Sequence, residues 1–443
     1  MDGTAEQLRL RLTARLTEVC GEPVAVSAPE RLSGGASRET WAFRATSGTR
    51  ERELVLRRDP PGYARPESMG LEAAAITAAA DAGVPVPPLL DHGTDPAVLG
   101  APYLISDLIP GETIPRKLLR DPEFERARPG LAAELGRVLA RLHRIPPDRV
   151  PGLERPDPLA LPVQEEPLPA LELALRRLRA NRPAPAGDVV VHGDFRNGNL
   201  VIGPDGLRAV LDWELVHRGD PLEDLGWLCV KAWRFGSAAP VGGFGSREDL
   251  LAGYAAEAGW TPDPAAVRWW EVLGTAKWAV FCRDMARRHL DGAERSVELA
   301  AIGRRVCEQE HDLLVELGLP AERSGAPEPE PEPGGHGRPT AAELVRAVGE
   351  FLRDEVRPEL TGRTRFHAQV AANVLDVVER ELRHGPAQRR TGRDRLAALG
   401  LRDEAELAAA IRAGAEEPAV LAAVRAAVTD RLLVANPRYL AGP

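Results

Sequence analysis

The chain has 443 residues, 44% of them hydrophobic, and a net charge of −9. That length exceeds what one hydrophobic core organises, so two or three folding units are expected. The acidic balance leaves no electrostatic footprint for nucleic acid; no apolar run is long enough to span a bilayer, and Met1-Asp2-Gly3-Thr4-Ala5-Glu6 lacks a basic-then-apolar leader pattern, so neither nucleic acid nor a membrane is an expected partner.

Leu8, Leu12, Leu16 and Val19 recur at helical spacing and predict an amphipathic helix over residues 4–19. Strand-like segments follow at Val24-Ala25-Val26, Thr40-Trp41-Ala42-Phe43-Arg44 and Glu53-Leu54-Val55-Leu56-Arg57, with Ser33-Gly34-Gly35-Ala36-Ser37-Arg38 turning between the first two. A turn of small residues lets backbone N–H groups approach a phosphate, and it equally suits an ordinary hairpin. Residues 67–82 carry Leu71, Glu72, Ala74, Ala75, Ile76 and Ala79 in a helical pattern that ends at Gly83 and a Pro-rich stretch. The segment from Ala101 through Ser106, Asp107 and Leu108 to Gly111 reads as a further strand. From about residue 113 helices dominate, including residues 131–143, until a Pro-rich stretch over residues 145–169 interrupts them.

The run Asp188-Val189-Val190-Val191 has the composition of a strand and leads into His192-Gly193-Asp194-Phe195-Arg196-Asn197-Gly198-Asn199. The next two segments, Asn199-Leu200-Val201-Ile202 and Leu207-Arg208-Ala209-Val210-Leu211-Asp212, flank the turn Gly203-Pro204-Asp205-Gly206. In an antiparallel hairpin the start of the first strand lies beside the end of the second, so Asn199 and Asp212 are expected to converge. Phosphoryl transfer to a hydroxyl needs a carboxylate to orient the attacking group and hard oxygen ligands to hold Mg²⁺ on the phosphates. Asp194 suits the first task, and Asn199 with Asp212 the second. His192 is read as a brace for the loop, and Trp227, Trp233, Trp269, Trp270 and Trp278 as core.

These motifs resemble the aminoglycoside phosphotransferase and choline kinase family, relatives of the protein kinases, over about residues 5–318. The segment Leu211-Asp212-Trp213-Glu214-Leu215, followed by Gly219-Asp220-Pro221-Leu222, is similar to the branch whose kinase-like domain is fused to, or encoded near, acyl-CoA dehydrogenases. The resemblance implies an α+β, two-lobed protein-kinase-like fold. Residues 1–110 would form a β-rich nucleotide-binding lobe and residues 111–319 a helical catalytic and substrate lobe. It implies ATP and Mg²⁺ as cofactors, Asp194 as catalytic base, and Asn199 and Asp212 as magnesium ligands. It also implies a nucleotide-covering loop at Gly34, Gly35 and Ser37, and a hinge at Ser106, Asp107 and Leu108 meeting adenine through the main chain. Arg57 stands where the superfamily carries a phosphate-binding lysine, with Glu72 as its expected partner, and Asp220 and Asp224 would brace the active-site loops.

Residues 320–339, which include Pro327-Glu328-Pro329-Glu330-Pro331-Glu332-Pro333, have the composition of an extended linker. Beyond them Thr340 and Glu343 make a capping box for a helix to about residue 356 with Leu344, Val348 and Phe351 on one face. Helices are further predicted over residues 363–383, 390–399, 402–413 and 417–435, an all-α domain over 340–443 resembling a helical domain of uncharacterised role found beside this kinase branch. His367 and Asn373 there are read as packing or surface residues. The dispersed Cys20, Cys229, Cys282 and Cys307 fit free thiols in a reducing compartment, so a cytoplasmic location is expected.

The leading expectation is an ATP-dependent phosphotransferase acting on a hydroxyl of a small molecule, a hydroxyacyl-CoA before an aminoglycoside. The competing one is a catalytically impaired nucleotide-binding module whose helical C-terminal domain binds a protein partner, kept open by the arginine at position 57. A third is a scaffold that binds no nucleotide.

Overall fold

A computed structural model describes residues 2–32, 38–60, 66–162, 166–320 and 337–441. The chain divides into two compact units, Met1–Pro156 with Ala184–Glu271, and Asp157–Pro183 with Val272–Pro443.

The first unit opens with helix α1 (Asp2–Cys20), whose Leu8, Leu12 and Leu16 are buried. They pack with an antiparallel sheet built from β1 (Ala25–Val26), β2 (Glu30–Arg31), β3 (Glu39–Ser47), β4 (Arg50–Arg58), β5 (Leu89–Gly93) and β6 (Tyr103–Asp107). Its order is β1-β3-β4-β6-β5, with β2 also paired to β3. The alternation of β3 turns Trp41, Phe43 and Ala45 inward, where Leu54, Leu56, Tyr103 and Ile105 meet them. Helix α2 (Pro66–Asp81) joins β4 to β5, and the single turn α3 (Pro96–Leu99) joins β5 to β6. Strand β5 was not read from the sequence, because Leu89-Leu90-Asp91-His92-Gly93 follows a Pro-rich run and does not alternate cleanly. It is fixed by long-range bonds: Asp91 accepts from Arg15 Nε at 2.7 Å and from the Tyr103 hydroxyl at 2.8 Å.

The helical half of this unit contains α4 (Pro115–Arg120) and α5 (Arg128–Leu142). After α6 (Pro169–Ala180), which belongs to the second unit, the chain returns as β7 (Val189–Val191), then the hairpin β8 (Leu200–Gly203) and β9 (Gly206–Val210), and β10 (His217–Gly219), which pairs with β7. Then come α7 (Leu222–Cys229), α8 (Arg247–Ala258) and α9 (Pro264–Leu290), the last of which enters the second unit at Val272. Helices α5 and α8 approach to backbone contact: a Cβ on Gly136 would overlap the Leu250 carbonyl, and one on Gly253 the Ala133 carbonyl. His143, which caps the C-terminal end of α5, is tied to α8 through Tyr254, whose hydroxyl lies 3.1 Å from its Nδ1.

The second unit is helical: α6, the rest of α9, α10 (Val297–Gly303), α11 (Val306–Glu316), α12 (Ala341–Phe351), α13 (Arg357–Glu359), α14 (Gly362–Ala398), α15 (Glu404–Ala413) and α16 (Pro418–Ala435). Its core gathers Ala170, Leu173, Cys307, Leu314, Leu407, Ile411, Val424, Val428 and Leu432. The capping box of Thr340 and Glu343 is formed. The break expected between residues 383 and 390 is absent: α14 runs through Pro386. Contacts with α16 on both sides of the proline hold it: Arg380 Nε donates to the Val434 carbonyl at 2.6 Å, Gln388 Nε2 to the Asp430 carbonyl at 3.0 Å, and Arg395 pairs with the Asp430 carboxylate. Cys229, Cys282 and Cys307 are buried free thiols and Cys20 is exposed. Among the described residues no helix is long and apolar enough to cross a membrane.

Candidate active site

Val190 and Val191 are fully buried, so β7 delivers the loop of residues 192–199 from a fixed base. Gly193 turns the chain with φ of 80°, and a Cβ there would stand 2.5 Å from the Leu215 carbonyl, so the turn admits only glycine. The loop is fastened from below by Asp224 on α7, which is 0% exposed. Its carboxylate accepts from the backbone N–H of His192 at 2.8 Å and of Gly193 at 3.0 Å, and from His143 Nε2 at 3.2 Å. Burial pushes the Asp224 carboxyl up, but His143 and then His192 more than offset it, leaving the group below the ordinary aspartate range. Asp220 plays a lesser version of this role, accepting from the N–H of Ala186 at 2.8 Å and of Leu222 at 2.9 Å.

His192 is a brace. Its Nε2 donates to the Leu211 carbonyl at 3.1 Å while its Nδ1 accepts from the Asp194 N–H at 3.1 Å, an arrangement that requires the neutral ring. Burial lowers its pKa and keeps it so.

Asp194 is held at both oxygens. Oδ1 accepts from Trp227 Nε1 at 2.9 Å and from Arg196 Nε at 2.9 Å, and Oδ2 accepts from Asn199 Nδ2 at 2.6 Å. Burial pushes this carboxyl above the ordinary aspartate range, Arg196 pulls against that, and Asp212 adds to it. A carboxylate so raised is a stronger proton acceptor than one in water. The Arg196 guanidinium lies 4.5 Å from the Trp233 ring centroid, a cation–π contact that fixes its position.

The hairpin performs the convergence read from the sequence. Leu200 faces Val210, and the Leu211 N–H donates to the Asn199 carbonyl at 2.8 Å, so Asp212 emerges beside Asn199. Asp212 takes φ of 66°, the left-handed region that Asp tolerates better than most residues. Its Oδ1 accepts from Arg57 Nη2 at 2.6 Å. Burial raises the Asp212 carboxyl and Arg57 more than offsets this, leaving it below the usual range. Arg57 lies within β4, opposite Leu104 of β6, and its Nη1 is 3.8 Å from Glu72 Oε2. The hydrogen bond of Glu72, however, goes to Arg38, which also donates to Asp59 at 3.2 Å.

The donor set suits a hard cation shared with phosphate. Asn199 Nδ2 is committed to the Asp194 carbonyl at 3.0 Å and to its carboxylate, which leaves the amide Oδ1 as the donor for a cation beside the Asp212 carboxylate. Among the described residues no three or more His, Cys, Asp or Glu side chains form a metal cage, so phosphate oxygens and water would complete such a shell.

At the hinge, the Asp107 N–H donates to the Pro88 carbonyl at 3.0 Å, the Leu108 N–H to the Glu53 carbonyl at 2.9 Å, and Ser106 pairs with Val55 and Leu89. The Asp107 and Leu108 amides are thus committed to the sheet, and adenine would be met by other backbone groups of this segment. Gly34, Gly35 and Ser37 lie outside the described residues. Three side chains that bond to the expected site residues were missed from sequence: Arg196 and Trp227 on Asp194, and Arg38 on Glu72. Arg196 sits two residues after Asp194, a signal that was available; Trp227 and Arg38 are brought in by tertiary packing and carry no local one.

Residues 29–270, more than half of the chain, match the model of the phosphotransferase enzyme family, APH, and residues 358–439 match a domain of unknown function, DUF6285. Acyl-CoA dehydrogenase family member 10 of Mus musculus is 29% identical over 228 residues, covering 47% of this chain and 20% of that protein. Acyl-CoA dehydrogenase family member 11 of Rattus norvegicus is 24% identical over 353 residues, covering 71% of this chain and 44% of that protein. The chain thus spans less than half the length of either relative. A solved structure from Ralstonia eutropha, assigned as an aminoglycoside phosphotransferase, has the same fold: TM-score 0.52 at 21% identity, covering 70% of this chain and 98% of that one.

Proposed function

Because the chain belongs to the phosphotransferase enzyme family, we propose that it transfers the γ-phosphate of ATP to a hydroxyl of a small molecule, with Asp194 as the base. The observation that carries this reading is the arrangement at one strand edge: Asp194 bonded to the Asn199 amide at 2.6 Å, and Asn199 bonded through its backbone to Leu211, the residue before Asp212.

Asp194 orients the acceptor hydroxyl and takes its proton as the acceptor oxygen bonds to the γ-phosphorus and the bond from that phosphorus to the ADP oxygen breaks. Trp227 and Asn199 hold the carboxylate rotamer while this happens, so no reorganisation is needed at the moment of reaction. Mg²⁺, when bound, offsets the phosphate charge, and Asn199 and Asp212 are the residues that would hold it. Arg57 moves from Asp212 to the phosphates, a cation in the place the lysine takes in relatives. Nucleotide binding falls to residues 1–110, with the Gly34, Gly35 and Ser37 turn over the phosphates, and acceptor binding to residues 111–319.

For the acceptor we favour a hydroxyacyl thioester such as a hydroxyacyl-CoA over an aminoglycoside. Relatives carry acyl-CoA dehydrogenase names, and the residue paired to the base is a cation, Arg196, which opposes a polycationic acceptor. The C-terminal helices expose Leu344, Val348, Phe351 and Phe366, which supports a protein-binding role for them, and the buried thiols suit the cytoplasm. Incubating the chain with MgATP and a panel of hydroxyl compounds, hydroxyacyl-CoAs and aminoglycosides included, should give acceptor-stimulated ADP release and a phosphate monoester by phosphorus NMR. MgATP binding with no acceptor-stimulated release would favour the impaired nucleotide-binding module. A double change of Leu344→Glu and Phe351→Glu should leave turnover intact and abolish any association recorded by gel filtration; retained association would exclude that helix face.

A further inference from the structure

Helices α6 and α11 both fall within residues 111–319, yet Glu172 of α6 and Glu308, Glu310 and Asp312 of α11 are buried, Glu310 at 0% exposure. A buried charge is retained only with a partner. The partners come from beyond residue 400. Arg412 of α15 donates through Nε to Glu172 Oε1 at 3.1 Å, and Arg431 of α16 donates through Nη2 to Glu310 Oε1 at 3.1 Å while its Nη1 holds Glu404 at 2.9 Å. Just past α16, Asn436 Nδ2 donates to Glu308 Oε1 at 2.8 Å and the Tyr439 hydroxyl to the Asp312 carboxylate. Arg305 also pairs with Glu308, but among the described residues Arg431 is the cation that meets Glu310, where it pulls against the burial that pushes that carboxyl up.

The same helices share one core: Leu173 of α6 and Leu314 of α11 pack with Leu407 and Ile411 of α15 and with Val428 and Leu432 of α16. Left alone, α6 and α11 would expose an apolar face carrying four carboxylates, which is the surface of an interface rather than of a finished domain. We propose that residues 340–441 are a subunit carried in cis: the surface of α6 and α11 is built to receive an all-α partner that presents cations, and the charge pairs and shared core hold it there without help from the connection through residues 321–336. The segment that matches the domain of unknown function then has a task of its own, to cover and neutralise α6 and α11. It performs this with α15, α16 and the residues after them, leaving free the α12 face that exposes Leu344 and Phe351.

The test severs that connection in the folded full chain. A protease recognition sequence inserted after Pro327 is cut, a denaturing gel confirms the cut, and gel filtration follows over a dilution series. A short tether supplies an effective concentration on the order of millimolar, so a domain that depended on it would be lost once cut. The cut wild type should instead elute as one complex at about 1 µM. Arg412→Glu sets two carboxylates against each other and should make the fragments part at a concentration at least about tenfold higher than in wild type. Adding Glu172→Gln removes the clash and should recover most of that loss, which a general failure of folding would not allow. If circular dichroism shows uncut Arg412→Glu to be unfolded, Arg412→Ala takes its place in both variants, with the same weakening and recovery expected, because it leaves Glu172 buried without its cation. The inference is overturned if the cut wild type separates or precipitates at about 1 µM, if the single variant holds together to the same dilution as wild type, or if Glu172→Gln recovers nothing. None of these readouts involves nucleotide, so the outcome stands apart from the phosphotransferase reading.

Discussion

Replacing Asp224 with Asn keeps the shape of the side chain and removes its charge from beneath the loop of residues 192–199. The carboxylate accepts from His192 N–H at 2.8 Å, Gly193 N–H at 3.0 Å and His143 Nε2 at 3.2 Å, and it is wholly buried. Hydrogen bonds to a charged group contribute about 1.5–3 kcal/mol each, and an amide nitrogen turned toward a backbone N–H leaves that donor unpaired. The expected loss is about 3–5 kcal/mol, the worth of roughly two such bonds. Urea unfolding followed by tryptophan fluorescence reads it. The sign with pH is fixed: the folded pKa of Asp224 is depressed, so its stabilisation is present above the ordinary carboxylate range and is lost as pH falls through the folded value. Wild type and variant should therefore converge as pH falls. A difference below about 0.5 kcal/mol at neutral pH, or one that does not narrow in acid, would refute the bracing role.

Two further changes probe the base and the scaffold. Trp227→Phe removes one donor from Asp194 Oδ1, which pushes the already raised carboxyl further up, so the acidic limb of kcat/KM should move to higher pH by about half a unit to one unit; an unmoved limb would separate Trp227 from the base. Gly136→Ala drives a methyl into the Leu250 carbonyl at the α5–α8 crossing and should destabilise the first unit by about 2–4 kcal/mol in the same urea assay, whereas an unchanged midpoint would mean the helices part without cost.

The geometry of the loop of residues 192–199 and the hairpin after it was legible because its signals are local. A β-branched strand, a glycine where φ is positive, and a Pro-Gly turn between two short strands each fix backbone geometry within a few residues, and together they bring Asn199 to Asp212. His192 was legible as a brace from its place in the same loop, whereas the bracing role of Asp224 was implied by the family resemblance. What escaped was set by distant packing. Strand β5 is set by its pairing with β6 and by the Asp91 carboxylate, which meets Tyr103 of β6 and Arg15 of α1. The break expected between residues 383 and 390 is absent because α16 grips α14 on both sides of Pro386. Residues 157–183 belong with the C-terminal helices through pairs such as Arg412 with Glu172 and Arg177 with Glu416, contacts between segments more than two hundred residues apart. Arg38 looked like the end of a turn, and its bonds to Glu72 and Asp59 are set by the fold rather than by local sequence.

The central claim, that Asp194 is the base of a phosphoryl transfer, is tested most directly by Asp194→Ala on the best acceptor from the panel, with turnover and MgADP affinity measured on the same preparation. Turnover should fall about 10²–10⁴-fold while MgADP binds within about threefold of wild type, because the carboxylate serves the acceptor proton rather than the nucleotide. Equal turnover in the two proteins would contradict the account.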